Sequence, residues 1–131
     1  MDDKVVYKLL DREAWARAEE RGRYDGAPVD RADGYIHLST GAQVVETARR
    51  HFAGLTGLTL VGFDVAALGD ALRWEPSRGG DLFPHLYGPL PAMAAVGAAD
   101  VATAGTPDAE AIADAVRTTL ETLRKPARTR D

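Results

Sequence analysis

The stretch Gly34-Tyr35-Ile36-His37-Leu38-Ser39-Thr40, followed by Gly41-Ala42-Gln43 and the run from Val44 to Phe52, decides the reading of this chain. In an extended segment successive side chains point to opposite faces. Tyr35, His37 and Ser39 then share one face, and Ile36 and Leu38 share the other. One face packs, and the other presents an imidazole and a hydroxyl. Thr40 to Gln43 has the spacing of a capping box. Val44, Val45, Ala48 and Phe52 form one helical stripe, and Gly54 stops it. A strand therefore runs straight into a helix. His37 and Ser39 stand at that helix's N-terminal end, where free N–H groups suit a phosphate or a carboxylate. Capping by Ser39 or Thr40 accounts for the same residues without a ligand.

Outward from this stretch the pattern stays mixed. Val5, Tyr7 and Leu9 alternate as in a half-buried strand. Asp11 can cap a helix over Arg12 to Arg21, ended by Gly22. Tyr24 to Asp33, rich in Gly, Pro and Asp, reads as a loop. Leu58 to Val65 reads as an interior strand, with further strands over Asp70 to Glu75, Leu82 to Tyr87 and Ala92 to Val96. Thr106 and Pro107 open a last helix whose apolar face is Ala109, Ile112, Val116, Leu120 and Leu123. Strands and helices do not alternate regularly. The expected class is α+β, a largely antiparallel sheet with flanking helices, rather than a doubly wound parallel sheet. Residues 1–100 form the domain, and residues 101–131 are a C-terminal helix and basic tail packed on it or trailing from it.

Composition narrows the function. A chain of 131 residues is the size of one domain with a real core. It has no cysteine, which excludes disulfides, thiolate metal sites and a cysteine nucleophile. No stretch approaches the roughly 20 apolar residues that span a bilayer. Met1-Asp2-Asp3-Lys4 lacks a signal-peptide start, so a cytoplasmic protein without a membrane partner is expected. The net charge of −4 argues against a nucleic-acid partner, and the basic tail at Arg124, Lys125, Arg128 and Arg130 reads as solvated.

The second chemically dense segment is Arg73-Trp74-Glu75-Pro76-Ser77-Arg78-Gly79-Gly80 with Phe83-Pro84-His85-Leu86-Tyr87-Gly88. His85 and Tyr87 are two apart on a predicted strand and face the same way. With Glu75 they make a plausible general acid/base set. The ordinary alternative pairs Glu75 with Arg73 or Arg78 and leaves His85 on a turn. His51 reads as a surface or boundary residue on its helix. No metal is expected, because no histidine pair has the helical spacing of a ligand set. There is no phosphate-binding glycine loop and no nucleophile elbow around Ser39 or Ser77.

Taken together, Tyr7-Lys8, the helix bearing Trp15, Asp33-Gly34-Tyr35-Ile36-His37-Leu38-Ser39-Thr40, the strand ending at Asp64, Arg73-Trp74-Glu75-Pro76 and Phe83-Pro84-His85-Leu86-Tyr87-Gly88 resemble a bacterial family, the domain of unknown function 952. The resemblance runs from Val6 to about Val96. It implies a fold similar to that of ADP-ribosyltransferases, a split α+β sheet holding NAD in a cleft, and hence a transferase or hydrolase. By that similarity His37 takes the place of a tyrosine that lies against the nicotinamide. Tyr7 takes a first-strand position that carries His or Arg, and Glu75 stands for the glutamate.

The resulting expectation is a small-molecule site. His37 and Tyr87 line a ring, Ser39, Thr40 and Arg78 meet a phosphate or carboxylate, and Glu75 or His85 moves a proton. Tyr7 and His37 differ from the usual NAD-gripping groups, so a simpler anion is favoured over NAD. A binding or hydrolytic domain without NAD chemistry, and a structural or interaction module, are the alternatives. The sequence selects no cofactor and no oligomeric state.

Overall fold

The structure is a computed structural model that describes residues 4–124, the Arg78 side chain excepted. Lys125, Arg128 and Arg130 of the expected tail lie outside the described residues. The chain opens with β1 (Val5–Asp11), α1 (Arg12–Arg21), β2 (Arg23–Tyr24) and α2 (Pro28–Asp33). Next come β3 (Ile36–His37), β4 (Ser39–Thr40), α3 (Val44–His51), β5 (Leu58–Asp64) and α4 (Val65–Leu68). β6 (Leu72–Pro76), β7 (Leu82–Leu86), β8 (Leu90–Pro91), β9 (Ala95–Asp100) and α5 (Ala109–Arg124) complete it. Every strand pair is antiparallel. The strands form a four-stranded sheet, β4-β1-β5-β9, a three-stranded sheet, β3-β7-β6, and the short pair β2-β8. The α+β class with an antiparallel sheet and flanking helices is thus as expected. No helix among the described residues is long and apolar enough to cross a membrane.

β1 is central to the larger sheet and buried on both faces, not one. Tyr7 and Leu9 pack with Leu60, Val44, Ile112, Val116 and Leu120 beneath α3 and α5. Val6 and Leu10 point the other way, to Trp15, Phe63, Leu86 and Leu90. Lys8 shares that second face by the two-residue period and is buried. A lysine inside a strand with core on both sides needs a counter-charge, and that need shapes the site described below.

Several local expectations are corrected: the strand expected over Ala92 to Val96 begins only at Ala95, after a 3-10 turn at Ala92–Ala94. Tyr24 to Asp33 is not a loop, for it contains α2. Pro28 fixes the φ of the first turn, Asp30 reaches back to the Ala27 N–H at 2.8 Å, and Gly34 ends the helix with φ 89°, donating to the Asp30 carbonyl. The last helix is opened by Asp108, whose carboxylate accepts from Ala111 N–H at 2.9 Å, and not by Thr106. The capping box at Thr40 is half made. The Gln43 side chain accepts from Thr40 N–H at 3.0 Å, while no side chain caps the helix itself.

Residues 36–40 join the two sheets. Ile36 and His37 pair with Leu86 and His85 of β7. Leu38 N–H donates to the Pro84 carbonyl at 3.0 Å. Thr40 and Ser39 then pair with Val6 and Tyr7 of β1. One extended segment leaves one sheet and enters the other, so the two-residue alternation holds from Tyr35 to Leu38 and breaks beyond. Ser39 turns inward and is buried against Thr47 of α3, 3.1 Å between hydroxyls.

α5 belongs to the same core, because Ile112, Ala113 and Val116 are fully buried. Ile112→Ala is expected to cost about 2–5 kcal/mol, as for other large-to-small core changes, within one cooperative unfolding transition. Urea denaturation followed by circular dichroism checks this. A separate early helix transition would mean that α5 folds independently of the sheet.

Candidate functional site

The site grows from the buried lysine. Lys8 Nζ meets both carboxylate oxygens of Asp30, at 3.3 and 3.1 Å, and donates to the His37 carbonyl at 2.9 Å. Asp30 is itself almost wholly buried. It also accepts from Ala27 N–H at 2.8 Å, from His37 N–H at 3.0 Å and from the His37 ring at Nδ1, 2.6 Å away. Burial alone would push the Asp30 carboxyl up. The bond from the His37 ring, the Lys8 charge and the two backbone N–H groups outweigh it and hold the carboxyl well below the usual carboxylate range. A carboxylate only accepts, so His37 Nδ1 carries a proton. On the far side of the ring, Nε2 lies 2.9 Å from Asp33, a more exposed carboxylate at the end of α2.

A second imidazole–carboxylate couple lies beside the first. Register places His37, His85 and Arg73 opposite one another across β3, β7 and β6. Their neighbours two residues away, Tyr35, Tyr87 and Glu75, share the same face by the strand period. Glu75 Oε1 accepts from His85 Nδ1 and from the Tyr87 hydroxyl, each at 2.8 Å. The His85 and Tyr87 bonds hold the Glu75 carboxyl below its ordinary value, and donating its hydroxyl to Glu75 pushes the Tyr87 phenol up. Tyr35 stacks on His85 with centroids 4.1 Å apart and contacts His37 and Tyr87 at 4.8 and 5.2 Å. The imidazole centroids are 5.7 Å apart. The Arg73 guanidinium lies 5.0 Å above the Tyr87 ring. Burial, then the carboxylates of Asp33 and Glu75, push the Tyr35 phenol up.

Of the residues selected from sequence, the structure brings His37, Glu75, His85 and Tyr87 together. It does not bring Tyr7, Ser39 or Thr40 to them. Tyr7 is buried on the opposite face of β1, where it lines a separate cavity of about 260 Å³ with Gly62, Gly97 and Leu123. Ser39 is occupied by Thr47, and the Thr40 N–H by Gln43. Arg78 lies in the 78–80 turn and its side chain is outside the described residues. His51 ends α3 and is exposed. Among the described residues no group of three or more His, Asp or Glu is arranged to hold a metal ion.

Sequence reasoning missed Lys8, Asp30, Asp33, Tyr35 and Arg73. Lys8 gave a signal, a charge inside the apolar run Val5-Val6-Tyr7-Lys8-Leu9-Leu10. Asp30 gave another, since it sits two residues after Pro28, the place for a first-turn carboxylate. A larger cavity, about 550 Å³, lies between β9 and α5 among alanines and threonines. Its lining includes Asp100 and Asp114, each already paired with an arginine, but no imidazole or phenol.

Comparisons with known proteins bear on this cluster. The profile of a family described as protein of unknown function (DUF952) matches residues 9–98. A crystal structure of protein CC0527 from Caulobacter crescentus is similar at 44% identity and a TM-score of 0.72, covering 79% of this chain and 93% of that one. A solution NMR structure of CC0527 is similar at 44% identity and a TM-score of 0.69, covering 79% and 91% of the two chains. No curated protein matches.

Asp30→Asn leaves Lys8 buried without its counter-charge and is expected to cost about 3–5 kcal/mol. The Asp30 pKa is lowered in the folded state. Its stabilisation is therefore full above the unfolded value of about 3.9 and is lost as pH falls below it. The gap between the urea midpoints of the two proteins should shrink steadily as pH falls from about 4 to about 2, without closing in that range, because the folded carboxyl titrates below it. A gap that stays constant over that range would assign the cost to lost packing.

Proposed function

Because the chain belongs to the DUF952 family, whose matched segment holds both imidazole–carboxylate couples, we propose that this face binds a small polar molecule and moves a proton on it. The observation that carries the reading is the double bond-acceptance of Glu75 Oε1, from His85 Nδ1 and from Tyr87. A carboxylate at Nδ1 fixes the imidazole tautomer and leaves Nε2 to take or give a proton. Tyr87, 40% exposed, supplies an aromatic surface for a planar group, and Arg73 supplies a cation for a phosphate or carboxylate. Strands carry the side chains, so their spacing is set by the sheet register. Substrate classes that fit are nucleotide-like, phosphorylated or carboxylated small molecules, handled by transfer or hydrolysis.

The finer architectural reading, an ADP-ribosyltransferase-like split sheet, is part of this proposal. The passage of residues 36–40 from one sheet to the other supports it. The side chains argue against NAD as the ligand. The first-strand residue that faces the cluster is Lys8, and Asp30 already holds it. Tyr7 faces away into the other core.

A thermal-shift screen of nucleotides, sugar phosphates and small carboxylates tests the reading. A ligand held at 100 times its Kd stabilises by about 2.7 kcal/mol. That shift is expected for at least one compound with the native chain and is expected to vanish in Glu75→Gln and His85→Gln, whose own melting stays cooperative. NAD is expected to give no shift and no nicotinamide release. Micromolar NAD binding, or release abolished by Glu75→Gln, would replace this reading with true ADP-ribosyl chemistry.

A further inference from the structure

His37 is gripped more completely than a surface imidazole requires. Its carbonyl accepts from Lys8, its N–H and its Nδ1 both donate to Asp30, and Asp30 is closed on its other oxygen by Ala27 and Lys8. The ring therefore has one orientation, with Nδ1 inward and Nε2 outward, and its side chain is 35% exposed. The only described protein group on Nε2 is Asp33, at 2.9 Å and 46% exposed. This is an ion-pair contact, and among the described residues Asp33 has no other ion pair. An exposed, singly tethered carboxylate on an otherwise locked imidazole has the chemistry of a carboxylate or phosphate oxygen from solution.

We propose that Lys8 and Asp30 are positioning residues that lock the His37 ring with Nε2 facing the ligand, and that Asp33 fills, in the free protein, the place of an anionic oxygen of that ligand. The proposal rests on the small-molecule reading above and places an anionic oxygen of that ligand at His37 Nε2. That oxygen replaces Asp33 at Nε2, next to the Tyr35 ring and one strand away from His85. No covalent bond is made or broken in this step. With the ring protonated on both nitrogens, the ion-pair contact with Asp33 at Nε2 is exchanged for one with the ligand's anionic oxygen.

Nitrogen-15 NMR of the histidine rings reads both halves. In Asp33→Asn, at a pH where the ring is neutral, His37 should keep its proton on Nδ1 and show a bare Nε2. The same ring carrying its proton on Nε2 would overturn the positioning role, and this arm uses a surface substitution that leaves the Lys8–Asp30 core in place. In Asp30→Asn, if it folds, the Nδ1 proton signal of His37 should be lost. Inorganic phosphate and acetate are then titrated separately, following the His37 ring. Asp33→Asn should bind at least one of them about tenfold more tightly than the native chain, and which one responds assigns the anion. Equal affinity in the two proteins would overturn the placeholder role of Asp33. These readouts concern His37 alone. A failure of Glu75→Gln to affect ligand binding would count against the acid/base reading and leave them standing.

Discussion

The Lys8–Asp30 pair is the interaction on which the rest of the site depends. Moving two charges out of water costs several kcal/mol per ion, and only good geometry with satisfied lone pairs offsets it. Here the geometry is supplied from three elements. β1 brings the ammonium, α2 the carboxylate, and the strand at residues 36–37 the remaining donors. Each element is held because its partner charge cannot be left alone in the core. The pair thereby ties the central strand of the larger sheet to the segment that enters the smaller one, and it fixes the histidine that faces outward.

That histidine gains its companions from sheet register. Because residues 36–40 leave one sheet for the other, His37 lies opposite His85, while Ser39 is drawn under α3. Two imidazoles, each with a carboxylate at Nδ1, then stand side by side on the three-stranded sheet with Tyr35 against both. The β6–β7 turn lets this happen at close range. Gly79 and Gly80 both have positive φ, 71° and 85°, which other residues adopt only with strain. The hairpin they close sets Arg73 opposite His85 and puts Glu75 within reach of that ring.

Much of this was legible in the sequence, and the failures have physical reasons. The bounds of α1 follow from Asp11 and Gly22, and the apolar stripe of α5 from its spacing. His37, Glu75, His85 and Tyr87 stood out because polar groups in half-buried strands must have partners. Ser39 was misplaced because alternation assumes one sheet, and the chain changes sheets at Leu38. Tyr7 was placed at the site by the family resemblance alone; β1 is buried on both faces, and the first-strand residue that meets the site is its neighbour Lys8. α2 was overlooked because Gly and Pro were read as breakers, when Pro28 opens a helix and Gly34 closes it. Asp30 was lost with that helix. Its pairing with Lys8 spans 22 residues, and no local pattern reports a contact over that distance.

The most direct test of the account is a crystal structure of the chain soaked with a library of small carboxylates, phosphates and nucleotides. The account predicts ordered density against Tyr87 and Arg73, with a polar atom within hydrogen-bonding distance of the His37 or His85 ring. Density confined to the cavity between β9 and α5, with the polar face empty at saturating concentration, would contradict it.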